Sequence, residues 1–246
     1  MIRLVFVSFC FFSLISSSFV DATPENRREA YTDQVAKSLG AEQLREYMFL
    51  EAIPEETIFA EDSSIQFSIK SKQKKMFSGV RSELSVNYPF ETKQRVSYRF
   101  DILVPNDFIS DDDNRWYILA QWHDQPNPKL GETWKDFPGR SPITYLYTEK
   151  INRNFGIGIR YGDSAHWFPI EYDQWYTLEF DFLWSDDEDG QLKFAVDESD
   201  PILFKGKNMH NKYQHYLKIG MYRHPKIQSS NNIKFRALFI NCLKLA

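Results

Sequence analysis

The chain has 246 residues and a formal net charge of −4, with 30 Lys and Arg set against 34 Asp and Glu. That balance argues against general nucleic-acid binding, although a polyanion can still bind where positive charges converge in one cleft. Only Cys10 and Cys242 are present, and Cys10 falls in a leader-like segment, so no intrachain disulfide is expected and stability must come from a packed core.

Residues 1–22 read as a secretory signal peptide. Arg3 gives a positive start, a short apolar run of Leu, Val, Phe and Ile follows, and Val20-Asp21-Ala22 offers small residues for cleavage after Ala22. The expected protein is therefore secreted and extracellular. No other segment is apolar enough to span a bilayer, so no membrane partner is expected. Residues 23–58 are read as helical. Thr23-Pro24-Glu25 suits a helix start, Gly40 marks a break, and Glu42 to Leu50 fits a second helix. This segment could be a cap on the fold or a pro-region.

From Ser63 the hydrophobic period changes to two. Ile65, Phe67 and Ile69 alternate with polar residues. The same pattern returns at Val80–Val86, Val96–Ile102, Tyr176–Phe182, Leu192–Val196, Leu217–Met221 and Ile233–Phe239. Many strands separated by polar turns predict an all-β fold for residues 59–246: a two-sheet β-sandwich, best matched by a jelly roll. No linker divides it, and a monomer is expected. Asp186, Asp187 and Asp189 could bind Ca²⁺, but an acidic run ending in Gly190 is more simply a hairpin turn, so no cofactor or metal is assigned.

Three strands carry unusual chemistry. Arg81 and Glu83 share one strand face, so the carboxylate can fix the guanidinium fork. In the strand starting near Trp116, strict alternation puts Trp116, Ile118, Ala120 and Trp122 on one face. It puts Tyr117, Leu119, Gln121 and His123 on the other, pairing an amide with an imidazole. Tyr216, Lys218, Gly220 and Tyr222 project together from a third strand, with Gly220 leaving a gap for a backbone or a sugar ring. Each has an ordinary reading taken alone: a solvated ion pair, a strand-end histidine satisfied by a carbonyl, a common Tyr and Lys sheet face. Lys70, Lys72, Lys74 and Lys75 read first as a solvated loop. Arg160, His215 and Arg223 are further candidates for acidic subsites, and His166-Trp167 for a loop over a cleft.

Together, and in this order, Arg81-Ser82-Glu83-Leu84, Gln121-Trp122-His123 and Tyr216-Leu217-Lys218-Ile219-Gly220-Met221-Tyr222 resemble the signature of the jelly-roll polysaccharide lyases. Gln-Trp-His and the Lys-x-Gly-x-Tyr-Arg ending at Arg223 are closest to the heparin-lyase-like and glucuronan-lyase-like branch. Trp122 and Ser85 depart from the alginate lyases, which carry an aliphatic residue and often a second Arg there. The resemblance spans about residues 60 to 241.

It implies β-elimination at a uronic acid of an acidic polysaccharide. Arg81, Gln121 and His123 would neutralise the substrate carboxylate. Tyr222 would act as acid, and as base for one geometry, with His123 the base for the other. Lys218 would favour the Tyr222 phenolate and contact substrate. Glu83, Tyr216, Arg223 and Arg160 would complete substrate binding. Two rivals are weighed beside it. A hydrolase needs paired carboxylates, but Glu179-Phe180-Asp181 is followed by Trp184 rather than a third acid. A non-catalytic lectin needs exposed aromatics but no Tyr, Lys, Gln and His set.

Overall fold

The computed structural model describes residues 24–52, 56–76 and 79–243. The signal-peptide reading of residues 1–22 lies outside them. Helix α1, Pro24–Ser38, turns Thr32, Val35, Ala36 and Leu39 inward on one face. It ends in a Schellman motif: Gly40, at φ +64°, donates to the Lys37 carbonyl at 2.9 Å, and Ala41 donates to Ala36 at 2.9 Å.

The second expected helix is not there. Glu42–Tyr47 is a 3-10 turn, and the chain then enters a strand, β1, Met48–Glu51. Leu50 is buried and Glu51 pairs with Glu83 in the next strand. Sheet pairing thus overrides a helical pattern too short to nucleate alone. Within residues 24–52, β1 is thus part of the first sheet, with α1 and the 3-10 turn leading into it.

The remaining strands are β2 (Ile58–Ala60), β3 (Ile65–Ile69), β4 (Val80–Val86), β5 (Arg95–Leu103) and β6 (Tyr117–His123). Then follow β7 (Thr144–Ile151), β8 (Asn154–Tyr161), β9 (Ser164–Pro169), β10 (Trp175–Leu183) and β11 (Gln191–Val196). Last come β12 (Ile202–Lys205), β13 (Tyr216–Arg223) and β14 (Asn231–Leu243). They form two antiparallel seven-stranded sheets, ordered β1-β4-β13-β6-β7-β8-β9 and β12-β11-β10-β5-β14-β3-β2. This is the expected jelly-roll sandwich with a short N-terminal helix. Asp186–Gly190 makes the turn between β10 and β11, where Lys93 Nζ meets Asp187 at 3.1 Å and Asp189 at 2.5 Å.

The core lies between the sheets. Leu84, Trp122, Leu217 and Ile219 of the first face Phe100, Phe180, Phe182 and Phe235 of the second, all fully buried. Trp122 is the central contact, with its ring 4.8 Å from Phe180 and 4.9 Å from Phe182.

Strict alternation fails in two strands, and a bulge accounts for each. In β6 the pairing slips between Ile118 and Ala120 against β7, and between Ile219 and Tyr222 of β13. Trp122 and Tyr117 therefore both face the core. Trp116 and Ile118 come out on the side of Gln121 and His123, not opposite them. In β14 the slip lies between Arg236 and Phe239, with Ala237 at φ +53°. It turns Leu238 and Ile240 inward and leaves Phe239 outside, against the expected alternation. At the same bulge Leu238 donates to the Leu39 carbonyl at 3.0 Å, which docks the end of α1.

Gly220 makes the β13 bulge possible. Its φ is +131°, and an added Cβ would sit 2.3 Å from the Ser82 carbonyl oxygen. The gap read from the sequence is thus filled by the backbone of β4. Replacing Gly220 with Ala should lower unfolding free energy by about 1–3 kcal/mol. Urea denaturation checks this, and an unchanged midpoint would show that β4 can yield.

His215 is not at a subsite. It is buried under Trp184, its Nε2 accepts from the His210 N–H at 3.1 Å, and its Nδ1 lies 3.1 Å from the Tyr213 carbonyl. Burial pushes its pKa down from 6.5 to about 4. The unfolded chain takes up this proton first, so stability should fall as pH drops from about 6.5 to about 4. His215→Gln should remove roughly 3 kcal/mol of that decline, read as a smaller difference between urea midpoints at neutral and acid pH.

Candidate active site

The outer face of the first sheet forms a cleft, and register alone carries its residues into rows. Phe49 of β1 pairs with Ser85 of β4, Ser85 with Lys218 of β13, and Lys218 with Gln121 of β6. The row runs on through Tyr145 of β7 to Arg160 of β8. In the next row Glu51 pairs with Glu83, and beyond it Arg81 pairs with Tyr222.

Arg81, Gln121, His123 and Tyr222 line one cavity of about 350 Å³, together with Trp116, Arg140 and Tyr145. Its floor is an ion cluster. Arg81 Nη1 donates to Glu51 Oε2 at 3.0 Å and to Glu83 Oε2 at 3.2 Å, and Lys218 Nζ donates to Glu51 Oε2 at 2.8 Å. Ser85 Oγ donates to Glu51 Oε1 at 2.5 Å, and Gln121 Nε2 to Glu83 Oε1 at 2.6 Å. The four side chains that donate to Glu51 and Glu83, those of Arg81, Lys218, Ser85 and Gln121, are therefore set by these two carboxylates.

The two carboxylates differ. Burial drives the Glu83 pKa upward, and Lys218 and Arg81 do not fully offset it. At Glu51 burial also acts upward, but Lys218, Ser85 and Arg81 outweigh it and hold the carboxyl below its usual range.

Above the floor, the Arg81 guanidinium stacks on the Tyr222 ring at 4.3 Å from its centroid, and Trp116 meets the same ring at 4.8 Å. The cation against Tyr222 is thus Arg81. Lys218 instead binds Glu51 and lies 5.3 Å from the Tyr216 ring centroid. Gly79 is needed for this packing, because a Cβ there would meet Tyr222 Cε2 at 2.4 Å and Arg81 Nη2 at 2.8 Å. Tyr216 stands at the rim. Burial and the charges of Glu51 and Glu83 push its phenol pKa upward, which keeps it protonated.

His123 ends β6 with its Nδ1 fixed, 2.8 Å from the Asp124 carbonyl and 3.1 Å from Asp124 Oδ1. Asp124 is fully buried, and its other oxygen accepts from Arg140 Nε. Burial raises the Asp124 pKa, but His123 and Arg140 overcome this and bring it down to about 2. With Nδ1 engaged, Nε2 is the nitrogen left for chemistry.

Arg160 lies on the same face, two strands from Gln121. Arg223 does not join them. It points to the opposite side of β13, is buried, and donates to the Ser229 and Lys70 carbonyls and to the Tyr117 hydroxyl. Strand alternation places it there, one residue beyond Tyr222. The lysines from Lys70 to Lys75 are exposed on the loop between β3 and β4. Trp167 pairs with Gly158 on the cleft side of β9, while the His166 ring lies tilted against Phe168, 4.6 Å away.

Sequence reasoning missed Glu51, Gly79, Asp124 and Arg140. Only Asp124, adjacent to His123, carried a local signal. Among the described residues no His, Cys, Asp and Glu group is arranged to hold a metal ion.

The model of the family described as "Polysaccharide lyase" matches residues 53–244. No curated protein matches the chain. Among solved structures, alginate lyase A1-II', a member of polysaccharide lyase family 7, is 12% identical with a TM-score of 0.61, covering 87% of this chain and 99% of that one. The endo-β-1,4-glucuronan lyase from the fungus Trichoderma reesei is 13% identical with a TM-score of 0.56, covering 79% and 87%. The catalytic domain of a glycoside hydrolase family 131 protein from Coprinopsis cinerea is 13% identical with a TM-score of 0.52, covering 82% and 79%. At these identities the structures speak to the fold, which lyases and a hydrolase share. The family match covers most of the chain, and by it this protein belongs to the polysaccharide lyases and is an enzyme of that class.

Proposed function

We propose that the protein is a secreted enzyme that cleaves a uronic-acid-containing polysaccharide by β-elimination in this cleft. The observation that supports it best is the convergence of Tyr222, His123, Gln121 and Arg81 on one cavity. The proton at C5 of a uronate is weakly acidic because the neighbouring carboxylate resists a second negative charge. Gln121 retains one amide hydrogen after bonding Glu83, and His123 retains Nε2. Both suit a substrate carboxylate, with the Arg81 charge close behind.

Removal of the C5 proton then leaves an enediolate-like carboxylate. Collapse forms the C4–C5 double bond and breaks the bond from C4 to the glycosidic oxygen, which takes a proton as it leaves. Tyr222 is the acid for that oxygen. It is also the base when proton and leaving group share a face, and His123 is the base when they do not. The products are a new chain end and a 4,5-unsaturated uronate.

The hydrolase alternative would use Glu51 and Glu83 as its carboxylate pair. Both are buried, both accept from Arg81, and Glu83 has an acceptor role at each oxygen, so neither is placed to protonate a leaving group or activate water.

Tyr222→Phe should lower kcat by about 10²–10⁴-fold with the fold intact. The assay follows the ultraviolet absorbance of the unsaturated uronate, and circular dichroism checks folding. Near-normal turnover would remove Tyr222 from its role. Asp124→Asn should lower kcat by about tenfold or more and shift its pH profile, because His123 loses the charge that orients it. An unshifted profile would limit Asp124 to structure.

A further inference from the structure

One wall of the catalytic cavity is supplied by no strand. The connection between β6 and β7, residues 124–143, returns to it, and Arg140, Ser141 and Pro142 line it together with Gln121, His123 and Tyr222. Arg140 is held there from several sides. Its Nε donates to Asp124 Oδ2, and its guanidinium carbon lies 5.4 Å from the Phe137 ring centroid. The Ser141 carbonyl beside it accepts from His210 Nε2 at 2.8 Å. Pro138 and Pro142 restrict the backbone on both sides.

The fork of Arg140 is nonetheless unspent. Neither Nη makes a hydrogen bond among the described residues, and the side chain is 33% accessible. Arg81 and Lys218 charge the same cavity from beneath: both bond Glu51, and their side chains are 9% and 6% accessible. Arg140 also stands beside the group that handles protons. Asp124 gives one oxygen to Arg140 Nε and holds the other 3.1 Å from His123 Nδ1. Arg140 and His123 thus flank one buried carboxylate, and both side chains line one cavity. When the C5 proton leaves, the uronate carboxylate takes up further negative charge. A cation with open donors at that point binds the enediolate more strongly than the substrate, and so speeds the step.

We propose that Arg140 binds the carboxylate of the reacting uronate through its Nη groups, beside Gln121 and His123, while its Nε keeps hold of Asp124. This rests on the reading of the cleft as a uronate lyase site. Arg140 is then a direct substrate contact carried by a loop, and Arg81 acts on the same carboxylate from the floor.

The test uses Arg140→Lys and Arg140→Ala, with folding checked by circular dichroism. Lys keeps a positive charge beside Asp124 but lacks the fork, so it separates contact with substrate from support of His123. The wild-type protein is first assayed on glucuronan, alginate, hyaluronan and heparin by formation of unsaturated uronate. On the polymer turned over fastest, Arg140→Lys should lower kcat by about 10²-fold, and the pH profile of kcat should stay where it is in the wild type. Arg140→Ala should be at least as slow; if it fails to fold, Arg140→Lys alone decides. Turnover by Arg140→Lys close to the wild type would show that only the charge beside Asp124 matters, and would overturn the contact. A slow Arg140→Lys with a displaced pH profile would assign Arg140 to the positioning of His123, and would overturn it as well. Both results leave the lyase reading intact. Unsaturated uronate from none of the polymers with the wild type overturns both.

Discussion

Glu51 is the constraint on which the candidate site depends. One of its oxygens accepts from both Arg81 and Lys218, and the other from Ser85. Without it two buried cations would lie side by side on neighbouring strands, with only Glu83 to balance them. Removing one partner from such a cluster costs several kcal/mol, because the remaining charge stays desolvated. The same contact fixes the direction of the Arg81 guanidinium, and hence the surface against which the Tyr222 ring rests. Position, charge and packing at the centre of the cleft therefore trace to one carboxylate on an edge strand. That strand lies before the span matched by the family model, so the chain supplies this part of its floor from outside the matched region.

The cleft separates two jobs by burial. Its floor is nearly closed to water and holds charges that balance one another. Its rim, made by His123, Tyr216, Tyr222 and Trp116, is only partly covered and carries the groups suited to moving protons. Proton transfer needs access to substrate, whereas a fixed electrostatic environment needs exclusion of water. Asp124 joins the two layers, since it is fully buried itself and holds the rim histidine in one orientation.

Much of this was legible in the chain. The period-two runs marked the strands that carry Arg81, Gln121 and Tyr222, and plain alternation placed the side chains of β4, and those of β13 on either side of Gly220, on their observed faces. It broke where a bulge inserted one residue. Nothing local in Trp116–His123 marks the slip after Ile118, which arises from pairing with two neighbours at once. Glu51 was hidden for a different reason. The residues before it favour a helix by pattern, and only the exposed hydrogen-bonding edge of β4, far along the chain, makes a strand the better choice. Gly79 was unreadable because its role is to leave room for two side chains that approach in space.

β1 is four residues long and sits at the margin of its sheet, with helix α1 tied behind it through Arg28 and the Leu50 carbonyl. Short margins are where proteins ordinarily fray first. Here fraying would also strip the counter-ion from Arg81 and Lys218, so departure of the strand is opposed by electrostatics as well as by its backbone bonds. The amino-terminal segment and the charged floor of the cleft are therefore held by the same contacts. A mutation that loosens α1 would be felt at Arg81 and Lys218, on the next two strands, through Glu51.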